Sequence, residues 1–150
     1  MTEISTTGRG IEQLNSLLRG EISAAETYAM AIEKIGGDRP REAALLRAIS
    51  QEHGEAAQHL REAIRRSGGE AEDASGAWGA YAKTIEGVAT LFGDASALKA
   101  LKEGEEHGLK DYQDTLEDED LPADCQAVIR GLLVKQREHI VTLDRLLANV

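Results

Sequence analysis

The stretches GEISAAETY at residues 20–28 and GEEHGLKDY at residues 104–112 each place a glutamate after a glycine and seven positions ahead of a tyrosine. Each half of the 150-residue chain also contains a Glu-His pair further along, at 52–53 and at 138–139. The two halves repeat at an offset of 84 to 86 positions. This repetition indicates a duplicated helical hairpin.

Apolar residues recur at helical spacing over four long segments, so we predict an all-α single domain over residues 1–150. The predicted helices span 10–35, 40–67, 95–117 and 122–148. Pro40 and Pro122 suit first turns, and Asp94 is the predicted N-cap of the third helix. The predicted inward stripes are Leu14, Leu17, Ala24, Tyr28, Ile32 and Ile35, then Leu46, Ile49, Ala56, Leu60 and Ala63, then Leu98, Leu101, Leu109, Tyr112 and Leu116, and finally Ile129, Leu132, Leu143 and Leu146.

Composition excludes several functional classes. The formal net charge of −10 argues against binding to nucleic acid or to an anionic membrane surface, because both need clustered Lys and Arg. No apolar run approaches the roughly 20 residues of a membrane span. The single cysteine, Cys125, cannot form an internal disulfide, so a cytoplasmic location is expected. Phosphate loops, a serine nucleophile elbow and Cys-x-x-Cys pairs are also missing from the sequence.

Four polar residues interrupt the apolar seams. A bundle seam repeats every 3.5 residues on average, which places Glu21, His53, Glu105 and His139 at inward positions. Residues of a helical hairpin lie level when they are equidistant from its turn. The midpoint of each Glu-His pair falls in the predicted turn of its own hairpin, so all four residues should share one layer.

Two carboxylates and two imidazoles in one layer are ligands for a transition metal, with iron or zinc favoured and manganese also suitable. The predicted metal ligands are therefore Glu21, His53, Glu105 and His139. A two-iron site would need a glutamate three residues before each histidine, but Ser50 and Gln136 stand there. This departure favours one ion over two. The residues predicted to support the ligands are Tyr28, Tyr112, Glu52, Glu138 and Gln136.

A long connection joins the two hairpins. Trp78, Tyr81 and Phe92 recur in it at helical spacing and predict a short amphipathic crossover helix over 77–92. A crossover of this length is the connection found in ferritin-like bundles, where it relates two hairpins by an approximate two-fold axis.

The chain also resembles the small bacterial ferritin-like four-helix-bundle proteins of unknown function. The resemblance rests on Gly-Glu-x6-Tyr at 104–112, Leu121-Pro122, Gln136, Asp144-Arg145 and the crossover Trp78, in that order. It implies a ferritin-like fold, metal binding and a link to stress physiology, without an established reaction.

Two functional hypotheses follow. In the first, the chain is a metal-binding protein holding one or two ions, and iron would permit Fe(II) oxidation or peroxide consumption. In the second, the Glu and His layer is metal-free and fixes helix register, and the chain is a non-catalytic protein that associates through its crossover helix. A homodimer is compatible with both. His59, His107 and Cys125 are expected to take no part in the site.

Overall fold

The computed structural model describes residues 8–73 and 93–150. In these ranges the chain forms four α-helices and no strand: α1 (Gly8–Ile35), α2 (Pro40–Arg66), α3 (Asp94–Leu116) and α4 (Ala123–Ala148). Their bounds lie within two residues of the predicted ones. The predicted crossover helix, with Trp78, Tyr81 and Phe92, lies outside the described residues.

The predicted N-cap of the third helix was wrong by one position. Asp94 is the first residue of α3, and Gly93 is the N-cap with φ of 86°, a conformation that glycine adopts without strain. The Asp94 carboxylate instead accepts a hydrogen bond from Arg39 Nε at 2.8 Å. Because Arg39 follows α1, this ion pair holds the start of α3 against the α1–α2 turn.

Prolines precede or begin two helices. Pro40 is the first residue of α2 after the N-cap Arg39. Pro122 is the N-cap of α4 rather than a first-turn residue, because its ψ of 147° is extended. Both placements suit a residue without a backbone N–H.

The four helices form an antiparallel bundle. α1 packs against α2 and α3, and α4 packs against α3 and α2. Ser67, just after α2, lies 3.7 Å from Cys125 at the start of α4, measured from Oγ to Sγ. Since the Arg39–Asp94 pair lies at the other end, α3 begins at the end of the bundle opposite to the end of α2. No helix in the described ranges is long and apolar enough to cross a membrane.

The apolar core is divided into two clusters. One contains Leu14, Leu18, Leu60, Ile64 and Ile129 with their neighbours, and the other contains Ile35, Leu46, Leu98, Leu101 and Leu143 with theirs. Tyr28 and Tyr112, the largest fully buried side chains, belong to different clusters. The Glu and His layer separates these clusters, so the fold buries Glu21, His53, Glu105 and His139 at mid-height between two apolar blocks.

Candidate metal centre

Each helix contributes one buried Glu or His side chain to the middle of the bundle. Glu21 comes from α1, His53 from α2, Glu105 from α3 and His139 from α4. None of the four is more than 5% exposed. The structure therefore brings together the four residues that the sequence places in one layer.

The His53 ring lies between two carboxylates. Its Nδ1 atom is 3.2 Å from both Glu21 oxygens, and its Nε2 atom is 2.7 Å from Glu105 Oε2. Burial alone would lower the pKa of His53, but the Glu21 and Glu105 charges raise it to about 10. His53 is therefore an imidazolium at neutral pH.

Glu105 is the centre of the network. Its Oε2 atom also accepts a hydrogen bond from Tyr28 Oη at 2.5 Å, and its Oε1 atom lies 3.3 Å from His139 Nδ1. Burial alone would raise the pKa of Glu105, but the His53 charge and the hydrogen bonds from both imidazoles lower it to about 2. The buried carboxylate is therefore ionised and shared by two histidines.

His139 links the layer to the protein surface. Its Nε2 atom lies 2.8 Å from Glu52 Oε1, and Glu52 Oε2 lies 3.5 Å from Lys135 Nζ. Burial alone would raise the pKa of Glu52, but His139 and Lys135 lower it. The Glu52 side chain is 34% exposed, so the network reaches solvent here.

The network alternates carboxylates with imidazoles, in the order Glu21, His53, Glu105, His139, Glu52. Both histidines direct one ring nitrogen to Glu105 and the other to a separate carboxylate. Such a carboxylate on the outer nitrogen fixes ring orientation and raises ligand basicity in metal sites.

The predicted supporting residues differ in their contacts. Tyr28 contacts Glu105 as described, and Gln136 Nε2 donates to the Glu105 backbone carbonyl at 3.0 Å. The Glu138 side chain is 58% exposed and pairs with Lys135, so the structure does not bring it to the layer. Tyr112 is buried and its hydroxyl has no hydrogen-bond partner within the described part of the chain.

Three further residues lie away from the layer, as expected. His59 and His107 are exposed, and each lies near a carboxylate on its own helix. Cys125 is buried in the apolar cluster that contains Leu14.

Among the described residues, Lys135 contacts the network without having been predicted from the sequence. It stands four residues before His139 and therefore one turn away on the same helix. That spacing from a predicted ligand is the signal that could have identified it.

Three of the layer residues could hold one ion. Ligand atoms of His53, Glu105 and His139 all lie within 4.8 Å of one another. Bonds of about 2.1 Å around a tetrahedral ion separate donor atoms by roughly 3.4 Å. Small side-chain rotations would therefore bring the three donors around a single ion. Glu21 is directed instead to His53 Nδ1, on the far side of the ring.

A cavity of about 40 Å³ lies beside the layer, between α1 and α3. Glu21, His53, Glu105 and Tyr112 line it, together with small residues of both helices. About 10 to 15 Å³ of such space is enough for one water molecule, so the cavity can hold a small molecule.

Comparison with protein families gives one match. Residues 9–118 match the family described as a domain of unknown function, DUF2383. The chain belongs to the DUF2383 family. Comparisons with curated proteins and with solved structures found no match.

The DUF2383 match covers α1, α2 and α3 and ends before α4. Glu21, Glu52, His53 and Glu105 therefore lie inside the matched region, whereas His139 lies beyond it. The family description states no activity, so the chemistry of this DUF2383 chain has to be argued from the layer itself.

Proposed function

We propose that this chain binds one transition-metal ion in the middle of its bundle. The ligands in this proposal are His53 Nε2, a Glu105 carboxylate oxygen and His139 Nδ1. The observation that carries it is the convergence of these three buried residues, from three helices, within 4.8 Å. Metal binding would release the extra proton of His53, and the two imidazoles and one carboxylate then supply a nitrogen and oxygen donor set for a divalent ion.

Glu21 and Glu52 have an orienting role in this proposal. Each holds the outer nitrogen of one histidine, so each fixes which nitrogen is directed to the ion. The prediction that Glu21 is itself a fourth ligand stays a prediction. Glu21→Gln separates the two roles, because an amide still contacts the ring but is a poor ligand.

Iron(II) and zinc(II) are the ions that fit this donor set best. Two histidines and one carboxylate are the ligands of non-haem iron sites and of several catalytic zinc sites, and both kinds keep an open position. Three carboxylate side chains, Glu21, Glu105 and Glu52, surround the two histidines of the layer. Carboxylates at such short range favour a cation.

The proposed architecture is ferritin-like. Its support is the antiparallel bundle, the start of α3 opposite to the end of α2, and one inward ligand-type residue from each helix. If the ion is iron, the proposed chemistry is Fe(II) oxidation or peroxide consumption, with a role in stress physiology. A bacterial source, a cytoplasmic location and a homodimer stay predictions.

A second candidate function is a metal-free layer that fixes helix register in a non-catalytic protein. It is favoured by the pairing of His53 with two carboxylates, which satisfies the ring without an ion. The association surface in this alternative is the crossover around Trp78, outside the described residues.

Metal uptake is the first prediction. Chelator-free purified protein should contain close to one equivalent of iron or zinc, or take up one equivalent of Co(II), Fe(II) or Zn(II) after chelation. His53→Ala, Glu105→Ala and His139→Ala should each lose this site. Glu21→Gln should retain it with affinity lowered about 10- to 100-fold, as for other groups that orient a metal ligand.

His59→Ala is the matched control, because it also removes a histidine from α2 but from an exposed position. It should bind metal like the parent. Plasma mass spectrometry and isothermal titration calorimetry make the measurement. Folded parent protein that takes up none of the three ions would favour the metal-free layer.

A further inference from the structure

The cavity between α1 and α3 adjoins the layer that would hold the proposed ion. Of the three proposed ligands, His53 and Glu105 line it. Small residues of the two helices make room there: Gly20, Ala24, Gly104 and Gly108. A three-ligand site keeps an open position, and the cavity supplies space next to it.

The Tyr112 side chain gives this cavity a polar group. Tyr112 is 2% exposed and lines the cavity, and its hydroxyl has no hydrogen-bond partner among the described residues. Buried hydroxyl groups are nearly always paired. An unpaired one beside a cavity therefore indicates a ligand that accepts its hydrogen bond.

The environment keeps this hydroxyl protonated. Burial, and then the nearby Glu21 charge, raise the pKa of Tyr112 well above its usual value. Glu21 also raises this pKa as a marginal hydrogen-bond acceptor, although its oxygens do not meet full hydrogen-bond geometry with Tyr112 Oη. The hydroxyl is therefore a donor at neutral pH.

We propose that the α1–α3 cavity binds one small exogenous ligand, which carries a lone pair to the open position of the ion and accepts a hydrogen bond from Tyr112 Oη. This inference rests on the proposed metal function. The ligand class is that of water and of small anions such as azide.

Size and charge restrict this class further. A cavity of about 40 Å³ holds up to about three non-hydrogen atoms. Glu21 and Glu105 line the cavity, so an anion enters only when the ion supplies positive charge. Azide binding should therefore require metal, and imidazole should be excluded by its size.

The experiment is an azide titration of Co(II)-loaded protein, followed by visible absorption. Parent protein should show a saturable spectral change. Tyr112→Phe should keep its cobalt but bind azide about tenfold more weakly or worse, because it loses a hydrogen bond to a charged group. Ala24→Leu should also keep cobalt and lose the azide response, because it fills the cavity without changing a polar group.

The outcomes separate the two proposals. Cobalt uptake with equal azide affinity in the parent, Tyr112→Phe and Ala24→Leu would overturn the cavity site and leave the metal function standing. A cobalt-loaded parent without an azide response, or with an equal response to imidazole, would also overturn it. If the parent takes up no cobalt, the proposed function fails and this inference fails with it.

Discussion

His53 carries a positive charge that two carboxylates stabilise in the protein interior, so the stability of the metal-free protein should depend on pH. Its pKa rises from 6.5 to about 10 on folding. The resulting stabilisation is fully present below about pH 6.5 and is lost as pH rises toward 10. The Glu105 pKa falls from 4.5 to about 2 on folding. This stabilisation is fully present above about pH 4.5 and is lost as pH falls toward 2.

We therefore expect the contribution of this pair to be greatest between about pH 4.5 and 6.5. Urea unfolding of chelated protein across that range and up to pH 9 makes the measurement. His53→Gln should flatten the decline at high pH, whereas His59→Gln, on the exposed surface, should leave it unchanged. A parent protein with equal stability at pH 6 and pH 9 would contradict the charged state assigned to His53.

Gly108 in α3 leaves room for the end of the Gln136 side chain of α4. A Cβ atom there would lie 2.5 Å from Gln136 Nε2, the group that donates to the Glu105 carbonyl. Replacing a helical glycine with alanine normally stabilises a protein by about 1 kcal/mol. Gly108→Ala should lose that gain, because it displaces a buried amide from its partner at a cost of about 1–3 kcal/mol.

Gly131→Ala is the matched control in α4, since a Cβ atom there meets nothing within 4 Å. It should stabilise the protein by about 1 kcal/mol. Gln136→Ala should make Gly108→Ala more favourable than it is in the parent, which a double-mutant cycle of unfolding free energies measures. Additive effects of Gly108→Ala and Gln136→Ala would show that the two positions are not coupled.

The helices and their shared polar layer could be predicted because both follow from periodicity. Seam spacing puts Glu21 and His53 on inward faces, and equal distances from the turn put them at one height. Ring orientation could not be predicted, because rotation of the His53 side chain decides whether Nδ1 or Nε2 is directed to Glu105. Glu52 illustrates a second limit: it was predicted to support the ligands, but its contact with His139 depends on how α2 packs against α4.

The two apolar clusters together account for most of the buried core, and the layer between them interrupts it. Buried ion pairs contribute little net stability, because desolvation offsets their attraction. Removing one partner from such a pair is nevertheless costly, since the other charge stays buried. The proposed metal binding therefore gives the layer a role that net stability does not provide.

The last prediction tests this explanation on the whole bundle. Combining Glu21→Leu, His53→Leu, Glu105→Leu and His139→Leu with Tyr28→Phe would join the two apolar clusters into one core. Replacement of a complete buried ionic network by apolar residues is often neutral or stabilising by about 1–4 kcal/mol, whereas loss of one partner costs about 3–5 kcal/mol. The combined variant should therefore be at least as stable as chelated parent, Glu105→Leu alone should be destabilised, and neither should take up Co(II). Chemical denaturation monitored by circular dichroism measures both variants. A combined variant less stable than Glu105→Leu would mean that the layer holds the helices in register, which is the role that the metal-free alternative assigns to it.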